Sequence, residues 1–149
     1  MDFTQLYILL DVAIAMFLSG IVGFEREVSN KPAGFRTNMI VGGASCLLFS
    51  LGLFIVDFLH KENYGELLQL DPLRVIEAIV VGVSFIGAGT ILKSSDGDKV
   101  NYLTTAATVL FSAAIGIAIA LQQYIIGAGA TSLILLVNTL IRKLDKKIT

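Results

Sequence analysis

Charge is what this sequence has least of. Only 15% of its 149 residues are Asp, Glu, Lys or Arg, where a soluble domain carries about 25%. With 55% hydrophobic residues and a mean hydropathy of +0.80, the chain cannot cover a water-facing surface, so the bilayer is its expected solvent. Tryptophan is absent and Cys46 is the single cysteine. One cysteine excludes an intramolecular disulfide and a Cys-rich metal centre. Its place inside an apolar run marks it as a small packing residue. His60, the single histidine, leaves no zinc-spaced ligand set and no base beside a nucleophile, so the chain is not expected to be an enzyme. A net charge of −1 offers no basic footprint for nucleic acid.

What is present is a series of apolar runs. Five approach the roughly 20 residues that a membrane-crossing helix needs: Phe3–Phe24, Thr37–Val56, Pro72–Leu92, Leu103–Leu121 and Tyr124–Ile141. The expected fold is therefore an all-α membrane protein, a bundle of about five transmembrane helices forming one domain over 1–149. The first run lacks a basic leading segment and the second follows closely, so it reads as a retained helix rather than a cleaved signal. Asp71-Pro72 is a helix start, with an N-cap followed by proline at the first helical position. Lys93 to Gly97 supply turn-forming residues that stop the third helix. Gln122 and Gln123 alone separate the last two runs, as in a tight helical hairpin. "HKENYGELLQL", in the longest loop, could form a short interfacial helix.

Orientation follows from Lys and Arg. Placing the C-terminus inside puts the "GFEREVSNKPAGFR" connector, Lys93, Lys99 and the basic C-terminal segment on the inner face, and leaves Lys61 and Arg74 outside. The positive-inside rule favours this arrangement, with the N-terminus outside and the C-terminus cytoplasmic.

Three features exceed what anchoring requires. First, Glu25 and Glu27 flank Arg26, and Arg36 stands at the mouth of the second helix before Thr37 and Asn38. These groups could snorkel to the interface or form a buried cluster at the cytoplasmic mouth, with Glu25 and Arg36 brought to one depth by antiparallel helices. Second, small and hydroxyl residues recur at helical spacing: Gly82, Ser84, Gly87, Ala88 and Gly89 in the third run, and Thr104, Thr105, Thr108, Ser112, Gly116 and Ala120 in the fourth. Such stripes let helices approach closely in lipid, within a bundle or across a dimer; they could also line a path. Third, Asp11 lies inside the first run, where an ionisable group is often functional, and Arg74 and Glu77 share a helix face at i, i+3. Carboxylates can bind a hard cation such as Mg²⁺ through oxygen, but no metal ligand set is identified.

The motifs "SGIVGFERE", "AGFRTNMIVGGASCLLF", "DPLRVIEAIVVGVSFIGAGTIL" and "LTTAATVLFSAAIGIAIA", in this order and spacing, resemble the MgtC/SapB family of prokaryotic membrane proteins. The resemblance implies a multi-pass protein of the cell (inner) membrane linked to magnesium homeostasis, and in some pathogens to survival inside host cells. It carries the family's most distinctive motif onto Glu25, Arg26, Gly34, Arg36, Thr37 and Asn38. The sequence departs from the family at Tyr102, where glycine is usual, at Leu110, where tryptophan is common, and at Glu77, Ala78 and Ser84. The soluble C-terminal domain of many members is expected to be missing, its input lost or supplied by another chain.

Three roles compete. The leading expectation is a magnesium-homeostasis protein acting by interaction or regulation, as a homodimer or other homo-oligomer or with a partner membrane protein. The alternative is a subunit of a cation transporter or channel that passes Mg²⁺ by Asp11 and the hydroxyl stripes. A structural assembly module is the third. Five short helices leave little room for an enclosed alternating-access path.

Overall fold

The computed structural model describes residues 3–61, 71–92 and 102–148. Among them the chain forms five helices and no strand: α1 (Phe3–Val28), α2 (Phe35–Lys61), α3 (Pro72–Leu92), α4 (Leu103–Ala120) and α5 (Tyr124–Ile148). Thr4–Val28, Phe35–Leu59, α3 and α4 are long and apolar enough to cross a membrane. The apolar part of α5, Tyr124–Leu140, extends about 25 Å at 1.5 Å per residue, slightly short of a hydrocarbon core of about 30 Å.

The charged "GFERE" is the last part of α1 rather than a connector, because Glu and Arg are good helix formers and nothing before Pro32 interrupts the helix. The helix closes at Asn30, whose φ of 52° is left-handed. The Lys31 N–H donates to the Arg26 carbonyl at 3.0 Å and the Asn30 N–H to the Glu27 carbonyl at 3.0 Å, the paired bonds of a Schellman motif. The α4–α5 hairpin closes the same way: Gln122 has φ 59°, and Gln122 and Gln123 donate to the carbonyls of Ile119 and Ala118 at 2.8 and 2.9 Å. Asp71 caps α3 as its sequence predicts, its Oδ1 accepting from the Leu73 N–H at 2.9 Å. The turn-forming stop after α3, and most of the segment expected to form an interfacial helix, lie outside the described residues.

α4 is the central helix. It touches α1, α2, α3 and α5, and half of its span is buried, against 17% for α3. One apolar cluster joins Val41 and Phe49 of α2, Ile79 and Val83 of α3, and Val109, Ala113 and Ile117 of α4. A smaller one joins Ala15, Cys46 and Ile119. Lipid is as apolar as these side chains, so helices associate through close packing rather than through a hydrophobic gain. The Gly42 carbonyl lies directly against Gly116, and Ser19 lies against Gly42. A Cβ on Gly23 would meet the Gly34 carbonyl oxygen at 2.6 Å and Phe35 Cα at 2.8 Å. Backbone approach of this kind locks α1, α2 and α4 together, while α3 and α5 flank them without touching each other among the described residues.

Candidate functional site

α1 presents Asp11, Ala15, Ser19, Val22 and Arg26 on one face, at spacings of four, four, three and four residues, and all five are buried. Extending the helix through "GFERE" is what turns Arg26 inward. Its side chain is only 1% exposed. One terminal nitrogen, Nη2, donates to the Thr105 hydroxyl at the start of α4 and to the Pro32 carbonyl at 3.4 Å. Nε and Nη1 have no hydrogen-bond partner; among the described residues the guanidinium forms no salt bridge, although the carboxylate of neighbouring Glu25 acts on it electrostatically.

Asn38, at the start of α2, is also fully buried. Its Nδ2 donates to the carbonyls of Ala33 and Gly34 at 2.5 and 3.0 Å, which fixes the end of the connector against the start of α2. Its Oδ1 accepts from the Ser112 hydroxyl at 2.8 Å, and the Ser112 carbonyl accepts from the Ser19 hydroxyl at 3.3 Å. Three helices are thus joined by a chain of polar groups at the end where α1 finishes and α2 and α4 begin.

The remaining motif residues divide around this seam. Glu25 is half-buried and accepts from the Ser29 hydroxyl at 2.9 Å. Gly34 leaves room for Glu27, whose carboxylate accepts from the Phe35 N–H at 2.9 Å; a Cβ there would lie 2.8 Å from that same oxygen. Thr37 is half-buried. Arg36 is exposed, and no ion pair joins it to Glu25 or any other carboxylate among the described residues. The expected Glu25–Arg36 contact is therefore replaced by a buried Arg26. Two residues span about 200° of a helix, so once Asn38 points inward Arg36 must point out.

Asp11 marks the opposite end of the seam. It is buried, and its Oδ1 accepts from the Tyr124 hydroxyl at 2.7 Å. Arg74 and Glu77 are both exposed and do not pair; at the start of a flanking helix each can be solvated separately. The small-residue stripes also divide. Thr105, Thr108, Ser112 and Gly116 are buried, and Gly87 packs with Ala106. Thr104 is exposed, although its carbonyl accepts from the Thr108 hydroxyl at 2.7 Å. Gly82, Ser84, Ala88 and Gly89 face away from the bundle, with open space beside Gly82 and Gly89, so within one copy only Gly87 of this set makes a close helix contact.

Sequence reasoning missed Ser19, Tyr124 and Asn138. Ser19 was readable from its seven-residue spacing to Arg26. Tyr124 becomes a partner of Asp11 only when the hairpin brings α5 beside α1. Asn138 is buried on α5 with an unpartnered Nδ2, and its only sequence signal is an amide inside an apolar run. The described residues contain no group of three or more His, Cys, Asp or Glu. The polar seam offers a guanidinium with free donors at one end and a carboxylate with a free oxygen at the other.

The sequence profile of the MgtC family matches residues 12–147. Protein SapB of Bacillus subtilis is 38% identical over 111 residues, covering 74% of this chain and 46% of its own. Protein MgtC of Brucella abortus is 38% identical over 135 residues, covering 89% and 50%. The Escherichia coli K12 protein named "Putative magnesium transporter YhiD" is 36% identical over 125 residues, covering 83% and 55%. The chain thus spans about half the length of the curated relatives it matches. No solved structure matches it.

Proposed function

The chain belongs to the MgtC family, and we propose that it serves magnesium homeostasis as a multi-pass membrane protein acting by interaction or regulation. The role needs no catalysis and no resident cofactor. Lipid is the solvent of the bundle, and the Arg26 end faces the cytoplasm, as the distribution of Lys and Arg favours. The relatives' names supply the link to magnesium.

The observation that carries this reading is Arg26. A buried guanidinium with no salt bridge among the described residues, offset by the nearby charge of Glu25, is costly to hold in a bundle, and an ionisable group at such depth is by default a functional one. Its two unpartnered nitrogens suit it to take an acceptor from a binding partner when the mouth opens. Regulation is also supported over conduction by how the inward polar groups are used. Ser19, Asn38, Thr105 and Ser112 bind one another or Arg26, and the Gly42–Gly116 contact closes the space between α2 and α4. A second copy of the chain is the proposed first partner, for which the open face around Gly82 and Gly89 permits close helix approach.

Growth of a magnesium-limited host lacking its own family member tests the role. Wild-type protein is expected to restore growth, and Arg26→Lys to fail even when its membrane level is matched to wild type, because lysine keeps the charge and loses the planar fork. Liposomes carrying the purified chain are expected to show no Mg²⁺ flux above empty vesicles. Saturable flux would replace this reading with that of a cation transporter.

A further inference from the structure

We infer that the start of α4, together with Arg26 and Asn138, forms a binding site for a phosphate group. This names the chemical class of acceptor for the arginine that carries the proposed role, and so rests on that reading. Donors without acceptors gather at this end of the bundle. Tyr102, which precedes α4, gives it no side-chain cap. The first N–H groups of this 18-residue helix therefore lack both an intrahelical acceptor and a cap from that residue. α2 begins at the same end, and there Glu27 brings a carboxylate to the Phe35 N–H.

Two buried side chains add open donors. Arg26 reaches the first turn of α4 through the Thr105 hydroxyl. Its hydrogen bonds are made by Nη2 alone, while Nε and Nη1 are buried without one. Asn138, 6% exposed, has an equally unpartnered Nδ2. α5 packs only against α1 and α4 among the described residues, so a buried Asn138 faces those two helices. α1 and α5 run in the same direction, because each is antiparallel to α4: Arg26 meets Thr105 and Ser19 meets Ser112, and a tight turn joins α4 to α5. Tyr124 meets Asp11, and Gly127 lies by Leu18. Counting from these two contacts to Asn138, at equal rise along both helices, places it level with residues 25–29 of α1, the turn that carries Arg26.

The donor set selects the ligand. The open nitrogens of Arg26 and Asn138 and the first N–H groups of α4 all donate. Thr105 accepts from Arg26 and so has its own hydroxyl hydrogen to give. A tetrahedral oxyanion presents acceptors on every side and meets all of them. Guanidinium is the side chain best matched to phosphate, and a helix N-terminus attracts the same group through its free N–H groups and dipole. The Glu25 carboxylate offsets part of the arginine's charge, so affinity comes from the convergence of donors more than from net charge. The phosphate is either a soluble ion or the headgroup of a phospholipid at this face of the membrane.

Calorimetry on the purified full chain in detergent reads binding, with sodium phosphate in one arm and dihexanoyl phosphatidic acid in the other. Neither arm depends on a growth phenotype, so failure of this site is distinguished from failure of the proposed role. Wild-type protein is expected to bind saturably. Binding of inorganic phosphate supports the site with a soluble ion as its ligand, and binding of the phosphatidic acid alone supports it with a lipid headgroup. Arg26→Gln is expected to weaken binding about tenfold or more, through loss of a charge-assisted contact. Asn138→Leu suits an apolar run, keeps the bundle folded and removes one donor, and is expected to weaken binding about threefold to tenfold. Arg36→Gln removes the same charge from an exposed position and is expected to stay within about twofold of wild type. No saturable binding of either probe, unchanged binding by Asn138→Leu, or equal losses at Arg26 and Arg36 would overturn the site.

Discussion

Asn38 of α2 accepts the Ser112 hydroxyl of α4 at 2.8 Å while its own amide holds the carbonyls of Ala33 and Gly34. One side chain thus sets the turn between α1 and α2 and the distance between α2 and α4. Asn38→Leu removes both functions and leaves buried polar groups unpaired, which should destabilise the bundle by about 2–3 kcal/mol. Ser112→Ala, which loses one bond, should cost about 1 kcal/mol. Denaturant titration in detergent measures both, and equal stability of Asn38→Leu and wild type would remove Asn38 from its place in the seam.

The two motif arginines should behave oppositely. Arg26→Met removes a buried charge but strands the Thr105 hydroxyl. Arg26→Lys keeps the charge and cannot reproduce the fork that reaches Thr105 and Pro32. Arg26→Lys is expected to lower stability by about 1–3 kcal/mol, whereas Arg36→Lys, at an exposed position, should change it by less than about 0.5 kcal/mol. A larger loss at Arg36 than at Arg26 would reverse the assignment.

Glycines should separate by what surrounds them. A methyl group at Gly23 or Gly116 meets backbone, so Gly23→Ala and Gly116→Ala should each cost about 1–3 kcal/mol by overpacking. Nothing lies within 4 Å of a Cβ at Gly82 or Gly89. There alanine should leave monomer stability unchanged or raise it by up to about 1 kcal/mol through helix propensity. Thermal melts of the four variants in one detergent make the comparison.

Tyr102 precedes α4 with φ 68°, a left-handed conformation that costs a bulky residue about 1–2 kcal/mol. Tyr102→Gly should relieve it and stabilise the chain by about 1 kcal/mol, glycine's greater freedom in the unfolded state offsetting part of the gain. A destabilised Tyr102→Gly would mean that the tyrosine ring contributes more than the backbone strain.

Orientation is open to labelling. Single cysteines replacing Asn30 and Gln122 stand in opposite turns of the bundle, while native Cys46 is buried and should stay silent. A membrane-impermeant maleimide applied to whole cells is expected to label the Gln122→Cys protein and not the Asn30→Cys protein. The reverse pattern would invert the topology.

Much of the architecture was legible in composition and periodicity. The scarcity of charge and the five apolar runs determined a helical membrane bundle, because a backbone in hydrocarbon must satisfy its own hydrogen bonds within each segment. Asp71-Pro72 marked the start of α3, and the Gln122-Gln123 hairpin was placed by the shortness of its link, since both are local effects. The family motif pointed to Glu25 through Asn38 as a region. Which arginine turns inward was decided only by tertiary structure. It depended on α1 continuing through "GFERE", and on the rotation of α2 that buries Asn38 and so exposes Arg36. The pairing of Asp11 with Tyr124 likewise joins residues far apart in the chain, and no local pattern encodes it. Small residues showed that helices could approach closely, but not where. Only the packed bundle distinguishes Gly116, pressed against the Gly42 carbonyl, from Gly82, which faces outward, because a helix has many faces and its neighbours choose among them.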